Sequence, residues 1–114
     1  MNFNGQTALI TGAGRGIGKT IAGKLAESGL DIAIADMNPV SDDVLREIEE
    51  RGKKCLAFQM DVTDVESVDR VVKKIIDENG GLHILVNNAG VTQDNLFMRM
   101  KQEQWKQVVD VNLN

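Results

Sequence analysis

The segment TGAGRGIG, residues 11–18, carries four glycines in eight positions between an apolar run and a helical pattern. The preceding run QTALIT is short and mostly apolar, which predicts a buried β-strand. After the glycines, Ile17, Ile21 and Leu25 recur at helical spacing, and Gly29 follows as a stop signal. A strand that passes through a glycine-rich turn directly into a helix opens a βαβ unit, so this segment favours an α/β fold.

The alternation of strand-like and helix-like segments continues along the chain. Short apolar runs predict strands at residues 31–36, 54–60 and 83–86. Such strands are typical of a parallel sheet that is covered on both faces. Because crossovers between parallel strands are right-handed, the helices fall on both sides of the sheet. The sequence therefore predicts one α/β domain over residues 1–114, a doubly wound, Rossmann-type parallel sheet.

Capping residues predict where the later helices begin and end. Ser41 can cap the helix after the second strand, and Thr63 with Glu66 forms a capping box for the helix after the third. Gly80 is expected to end that third helix. A last helix is predicted after the fourth strand, with an apolar face made of Trp105, Val108, Val109 and Val111.

Composition excludes several classes of partner. The formal net charge is −4, and the 13 lysines and arginines form no basic stripe, which argues against a nucleic-acid partner. No apolar run reaches the length of a membrane span. Cys55 is the single cysteine, so no disulfide can form within the chain, and a reducing cytoplasmic location is expected. With one histidine and one cysteine, no metal site is predicted.

The glycine loop is placed to bind a phosphate group. At the end of a strand and the start of a helix, backbone N–H groups and the helix dipole favour an anion. Glycines allow the backbone to turn tightly and to approach a pyrophosphate closely. The spacing G-x3-G-x-G, from Gly12 to Gly16 and Gly18, differs from the commoner G-x-G-x-x-G. The alternative is an ordinary glycine turn between a strand and a helix.

Asp36 ends the second predicted strand, eighteen positions after Gly18. An acidic residue at about that separation accepts hydrogen bonds from the ribose hydroxyls of a dinucleotide and repels a 2′-phosphate. Asp36 therefore favours NAD over NADP as the cofactor. Arg15 favours the opposite preference, because a guanidinium there could pair with a 2′-phosphate. Both side chains could instead be solvated surface charges.

Three segments in register make the chain resemble the N-terminal, cofactor-binding part of the short-chain dehydrogenases/reductases. These are the T-G-x-x-x-G-x-G loop at residues 11–18, the pair DV at residues 61–62 and the segment NNAG at residues 87–90. Within that family, residues 91–101 and Trp105 are most similar to 3-oxoacyl-[acyl-carrier-protein] reductases. The resemblance implies a strand order of 3-2-1-4 and hydride transfer between a nicotinamide and a carbonyl or secondary alcohol, with an acyl thioester as one substrate class.

The resemblance also implies a role for individual residues. Asp36 is expected at the ribose, and the glycine loop at the pyrophosphate and nicotinamide through Gly12, Arg15, Gly16, Ile17 and Gly18. Asp61 and Val62 are expected at the adenine, and Asn88, Ala89 and Gly90 near the cofactor ribose. Asn88 and Thr11 could equally serve to tie the central strands together.

Asn112 is the one catalytic residue that the resemblance implies. It matches the asparagine at a helix distortion that holds a water in the family's proton relay, although it could also be a helix-surface amide. The serine, tyrosine and lysine of the family's chemistry would lie beyond a fifth strand, and the chain contains no tyrosine. The sequence therefore predicts an incomplete domain, cut after the fourth strand and its helix, that is inactive alone.

Two hypotheses about the biological role follow. The first is the nucleotide-binding half of an NAD(P)-dependent reductase, and the second is a non-catalytic module that binds a nucleotide or a partner. An open fourth strand and an unpacked last helix would present unpaired groups, so self-association into a homo-oligomer is also expected.

Overall fold

The computed structural model of the chain describes residues 5–14, 16–52, 54–88 and 109–112. Residues 110–112 are described by their backbone alone. The strands are β1 (Thr7–Thr11), β2 (Asp31–Asp36), β3 (Cys55–Gln59), β4 (Ile84–Asn87) and β5 (Val109–Asn112). The helices are α1 (Gly16–Glu27), α2 (Asp42–Arg51) and α3 (Val65–Asn79).

The five strands form one parallel sheet in the order β3-β2-β1-β4-β5. Thr11 at the end of β1 pairs in register with Ala35 of β2 and with Asn87 of β4. Asp36 pairs with Gln59 at the end of β3. The predicted doubly wound sheet and its strand order 3-2-1-4 are therefore confirmed, and the carboxyl ends of four strands meet at one edge.

The core lies on both faces of the sheet, because the central strand β1 is buried along its whole length. Leu9 faces α3 and packs with Val68, Val72 and Ile75. The neighbouring side chains of β1 face the other way and pack with residues of α1 and α2, namely Ala22, Ala26, Val44 and Ile48. The strands β1, β2 and β4 read as continuous apolar runs because both of their faces are covered, whereas β3 carries exposed residues at Ala57 and Gln59.

The predicted ends of α2 and α3 hold with one correction. Ser41 caps α2, and its hydroxyl accepts the Val44 N–H at 3.3 Å. Gly80 ends α3 in the left-handed conformation with a φ of 82°, as predicted. The capping box of Thr63 and Glu66 is wrong, because Asp64 is the N-cap and its carboxylate accepts the N–H groups of Glu66 and Ser67. A carboxylate one residue further along the chain competes successfully for those donors.

The predicted final helix is wrong at Val109–Asn112, which forms β5 beside β4. Val109 donates its N–H to the His83 carbonyl at 2.9 Å and opens the pairing. Two β-branched valines in four residues favour a strand, and β4 would otherwise present a row of unpaired backbone groups. The sheet is therefore not cut after its fourth strand, and β4 is not the open edge that was expected; Trp105 and Val108 lie outside the described residues.

Cys55 is buried at the start of β3, and burial raises the pKa of its thiol from 9.0 to about 12, with a smaller contribution from the Glu49 carboxylate. We therefore expect about a thousandfold less thiolate at pH 8 than in an ordinary thiol. Alkylation by iodoacetamide should be slow in the native chain and fast in urea. Equal alkylation rates in buffer and in urea would contradict this assignment.

The raised pKa of Cys55 also predicts a pH dependence of stability. Since only the unfolded thiol ionises between pH 9 and 12, the free energy of unfolding should fall as pH rises through this range.

Within the described ranges, no helix is long and apolar enough to cross a membrane.

Candidate functional site

The carboxyl edge of the sheet collects polar groups from the ends of four neighbouring strands. The glycine loop follows β1, Asp36 ends β2, Asp61 follows β3, and Asn88 follows β4. Their convergence is a consequence of parallel pairing, because residues in register at successive strand ends lie side by side. In open α/β sheets, ligands bind in the crevice outside these ends.

Two glycines with positive φ shape the loop between β1 and α1. Gly12 has a φ of 65° and Gly16 a φ of 64°, a backbone region that residues with side chains rarely adopt. The Ala35 carbonyl fixes the start of the loop by accepting the Gly12 N–H at 2.8 Å and the Ala13 N–H at 3.4 Å. Gly16 is the first residue of α1, so the loop ends at a helix N-terminus.

Gly18 brings α1 close against this loop and against the end of β4. A Cβ atom at this position would collide with the Gly12 carbonyl oxygen and would lie 2.8 Å from Asn88 Nδ2 and 3.0 Å from Ala13 Cα. Two of these three neighbours are backbone atoms, which cannot move aside cheaply. Gly18 is therefore required for the close approach of the helix to the loop.

The Asp36 carboxylate faces the loop from the end of β2. Its Oδ2 accepts the Gly14 N–H at 3.2 Å, and its Oδ1 accepts the Asn38 N–H at 3.1 Å. A small cleft of about 140 Å³ opens between these groups, lined by Gly14, Asp36, Asn38 and Pro39. The acidic group thus lies in direct contact with the glycine loop, although 22 positions separate it from Gly14 in sequence.

Asp61 lies next along the edge, directly after Met60, whose N–H donates to the Asp36 carbonyl at 2.8 Å. Asp61 Oδ1 accepts the Thr63 hydroxyl at 2.7 Å and the Thr63 N–H at 2.9 Å. The Thr63 hydroxyl, followed by its N–H, holds the pKa of the Asp61 carboxyl below its usual 3.8. The Ser67 hydroxyl accepts the Asp61 N–H at 3.0 Å, so the residue is anchored through both backbone and side chain.

A buried network joins β1 and β4 beneath the loop. The Thr11 hydroxyl donates to Asn87 Oδ1 at 2.9 Å and accepts the Asn88 N–H at 3.0 Å. Thr11 and Asn87 are fully buried. The Asn88 side chain continues the network, because its Nδ2 donates to the Gly12 carbonyl at 3.4 Å. The segment after β4 therefore supports the glycine loop from below.

A family model described as short chain dehydrogenase matches residues 6–114. The chain belongs to the short chain dehydrogenase family.

Individual members of this family are similar to the chain over part of their length. The chain is 44% identical over 110 residues to the 3-oxoacyl-[acyl-carrier-protein] reductase FabG of Staphylococcus aureus, with 95% of this chain and 45% of that protein covered. An NAD⁺-bound xylitol dehydrogenase matches at a TM-score of 0.80 and 27% identity, over 96% of this chain and 54% of the other. A putative D-mannonate oxidoreductase from Haemophilus influenza with bound NAD matches at a TM-score of 0.69 and 31% identity, over 75% and 31% of the two chains.

The chain thus spans less than half the length of the curated relatives to which it is similar. The family's glycine loop and Asn88, the residue after β4, meet at the carboxyl edge. Ile17 also lies at this edge, with 68% of its surface exposed, and Val62 is half-buried against the core beneath α3. Arg15, Ala89 and Gly90 lie outside the described residues.

Asn112 is not at a helix distortion. It is the last residue of β5, where its backbone pairs in register with Asn87, and its side chain lies outside the described residues. The helical setting expected for this residue is therefore wrong.

Sequence reasoning missed two contributors to the edge. The sequence motif alone gives Asn87 no role of its own, yet its buried Oδ1 accepts a hydrogen bond from the Thr11 hydroxyl. An asparagine at the end of an apolar strand is the signal for such a bond, because a buried amide needs a hydrogen-bond partner. Gly14, the glycine outside the family pattern, donates to Asp36. Among the described residues, no group of three or more His, Cys, Asp or Glu side chains is arranged to hold a metal ion.

Proposed function

We propose that this chain binds a nicotinamide dinucleotide across the carboxyl edge of its sheet. The observation that carries the proposal is the contact between the Gly14 N–H and the Asp36 carboxylate at 3.2 Å, which joins a phosphate-binding type of loop to an acceptor for ribose hydroxyls. The pyrophosphate would lie on the loop after β1, the adenosine ribose at Asp36 after β2, and the adenine near Asp61 after β3. Extended dinucleotides require anchors in this spatial order.

The loop residues fit such a ligand in three respects. Gly12 and Gly16 adopt the positive φ values that a tight turn before the helix requires, and Gly16 begins α1, whose N-terminal N–H groups would be the donors to an anion. Gly18 has no side chain between the loop and the helix, so the helix N-terminus can approach the pyrophosphate. Asn88 holds the loop through the Gly12 carbonyl, and Asn88, Ala89 and Gly90 are proposed to lie near the cofactor ribose. Arg15 and Ile17 are proposed to line the pyrophosphate and nicotinamide side.

Within this proposal, NAD is the preferred cofactor. Asp36 presents a carboxylate to the cleft. This carboxylate would accept hydrogen bonds from two ribose hydroxyls and repel a 2′-phosphate. The bound NAD in the D-mannonate oxidoreductase and xylitol dehydrogenase relatives supports the same preference. NADP remains the competing ligand, and Arg15 is the residue that would recognise its phosphate.

The parent activity that we propose is reduction of a carbonyl in a 3-oxoacyl thioester, as in the relative from Staphylococcus aureus. When bound, the nicotinamide would supply or accept the hydride. The chain itself contains no tyrosine and so lacks the proton donor of the family's chemistry. We infer that these residues supply binding and orientation, that they do not turn over alone, and that the complete protein acts as a cytoplasmic homo-oligomer.

A non-catalytic binding module is the second candidate function. It is favoured by the pairing of β5 with β4, from Ile84↔Val109 to Asn87↔Asn112, because this pairing covers the strand edge that a missing fifth strand would leave open. This module would bind a nucleotide or a partner without catalysis, so the two candidates differ in whether added C-terminal sequence restores reductase activity.

Replacing Asp36 with serine should weaken NADH binding and narrow or reverse the preference over NADPH. The change removes an acceptor for the ribose hydroxyls and the charge that repels a 2′-phosphate, so we expect about a tenfold or larger fall in the ratio of the two affinities. Calorimetric titration of the full chain with each dinucleotide at one fixed salt concentration measures this ratio.

Asp77→Ser is the matched control, since Asp77 is an exposed acidic residue near the end of α3 and its loss makes the same change in net charge. A fall in the ratio with Asp77→Ser would mean that net charge alone sets the preference. If the unmodified chain prefers NADPH, the assignment of Asp36 is wrong and Arg15 becomes the determinant. The same sample should not oxidise NADH with acetoacetyl thioesters above background.

A further inference from the structure

Gly14 is the glycine that contacts the acidic group of the cleft. Its N–H donates to Asp36 Oδ2 at 3.2 Å, and it lines the cleft of about 140 Å³ together with Asp36, Asn38 and Pro39. Unlike Gly12 and Gly16, it is not among the glycines with positive φ. The backbone at this position is therefore open to an ordinary residue, and the reason for a glycine must lie in what a side chain would touch.

The three atoms nearest to a Cβ atom at position 14 would all belong to the Asp36 side chain. A Cβ atom there would lie 2.9 Å from Oδ2, 3.5 Å from Cγ and 3.8 Å from Cβ of Asp36. Since the first distance is shorter than real Cβ contacts, the carboxylate would have to move. The carboxylate is the end of a side chain and can rotate away, so we expect the rest of the fold to stay unchanged.

We propose that Gly14 is a specificity-determining residue: the absence of its side chain seats the Asp36 carboxylate against the loop and so selects a ribose with a free 2′-hydroxyl over a 2′-phosphorylated one. The inference rests on the proposed dinucleotide-binding function. It assigns the preference to a pair of residues rather than to Asp36 alone.

Two backbone N–H donors fix the orientation of the Asp36 carboxylate. Gly14 holds Oδ2 and Asn38 holds Oδ1 at 3.1 Å, so the carboxylate plane is fixed between the loop and the turn after β2. A carboxylate oxygen has a second lone pair, which leaves acceptor capacity directed at the cleft. A carboxylate that is fixed before the ligand arrives loses less conformational entropy on binding than a rotating one. Displacing it removes both the oriented acceptor and the charge nearest the 2′ position.

Gly14→Ala tests the proposal. NADH affinity should fall, NADPH affinity should fall less or rise, and the ratio of the two should fall by about tenfold, the effect of one hydrogen bond to a charged group. Calorimetry on the full chain at fixed salt measures both affinities, and urea unfolding verifies that the variant is folded. Gly81→Ala is the matched control, because its Cβ would crowd a side-chain atom, His83 Cε1 at 3.1 Å, at the opposite edge of the sheet.

The decisive comparison is the double variant. If Gly14 acts through the carboxylate, Gly14→Ala should leave the NADH to NADPH ratio unchanged in an Asp36→Ser background. An equal fall in both backgrounds would overturn the proposal, since Gly14 would then act on the loop itself. An unchanged ratio in the single variant would overturn it too, while leaving the proposed function intact.

The chemical shift of the Gly14 amide proton provides a second test that needs no nucleotide. It also does not depend on whether the Gly14→Ala variant folds. The Gly14 amide proton resonance should move upfield in Asp36→Ser, because the carboxylate acceptor is lost. If that resonance does not move, the contact is absent and the proposal fails. If the resonance moves but the unmodified chain binds neither dinucleotide, the proposed function fails, and the selectivity assigned to the pair fails with it.

Discussion

Gly18→Ala is expected to abolish dinucleotide binding and to lower the free energy of unfolding by about 2–3 kcal/mol, within the usual range for overpacking. The added methyl group would collide with the Gly12 carbonyl oxygen and crowd Ala13 Cα at 3.0 Å, so the helix must withdraw from the loop. Withdrawal also disturbs Asn88, whose Nδ2 would lie 2.8 Å from the methyl carbon. Urea unfolding and calorimetric titration with NADH measure the two effects.

Gly23→Ala provides a control in the same helix. Its Cβ would meet Arg51 Nη1 at 2.8 Å, which is as close as the Asn88 contact, but this atom ends a long, half-exposed side chain that can move. Alanine is also a better helix former than glycine, by about 1 kcal/mol. Gly23→Ala should therefore leave stability and binding nearly unchanged, and equal losses in the two variants would contradict the role given to Gly18.

Thr11→Val should lower the free energy of unfolding by about 2–4 kcal/mol, because it removes one hydroxyl that serves two groups, the buried Asn87 side chain and the half-buried Asn88 N–H. Valine fills the same volume but can neither donate to Asn87 Oδ1 nor accept the Asn88 N–H. The loss should reach the glycine loop, since Asn88 also holds the Gly12 carbonyl. Faster amide exchange at Gly12 and weaker NADH binding are expected together with the lower stability.

Two variants bracket this prediction. Thr11→Ser keeps the hydroxyl and should recover most of the stability that valine loses. Thr20→Val removes an exposed hydroxyl that donates only within its own helix, to the Gly16 carbonyl at 3.2 Å, and should change stability by about 0.5 kcal/mol or less. If Thr11→Ser is as unstable as Thr11→Val, the stability at this site depends on the shape of the side chain and not on its hydrogen bonds.

The features that could be predicted from the sequence are those that local pattern determines. The strand at residues 31–36 was predicted with the bounds that the structure gives it, because polar residues flank four apolar ones. Ser41 and Gly80 mark helix ends through their own conformation and side chain. The positions of Asp36 and Asn88 beside the loop also followed, since parallel strands must bring their carboxyl ends to one edge.

The features that failed depend on partners distant in sequence. Val109–Asn112 has a pattern compatible with either state, and the presence of β4 as a pairing partner decides in favour of a strand. The capping box failed because two candidate caps are adjacent and only the geometry of the turn selects Asp64. The Gly14 contact with Asp36 depends on the register of β1 and β2 and on the path of the loop, which no local window contains.

The central position of β1 has a consequence for the order of events during synthesis. Residues up to 60 contain β1, β2 and β3 with α1 and α2, so the contacts of the glycine loop with Ala35 and Asp36 can form as soon as this part of the chain has emerged. The remaining support comes from Asn88, whose contacts with Thr11 and Gly12 span 77 and 76 positions. Such long closures form late because their loop entropy is lost before the contact is gained. A nascent chain therefore carries a glycine loop without its support from Asn88 until β4 has docked, and we expect nucleotide to bind only afterwards, so that binding reports this docking.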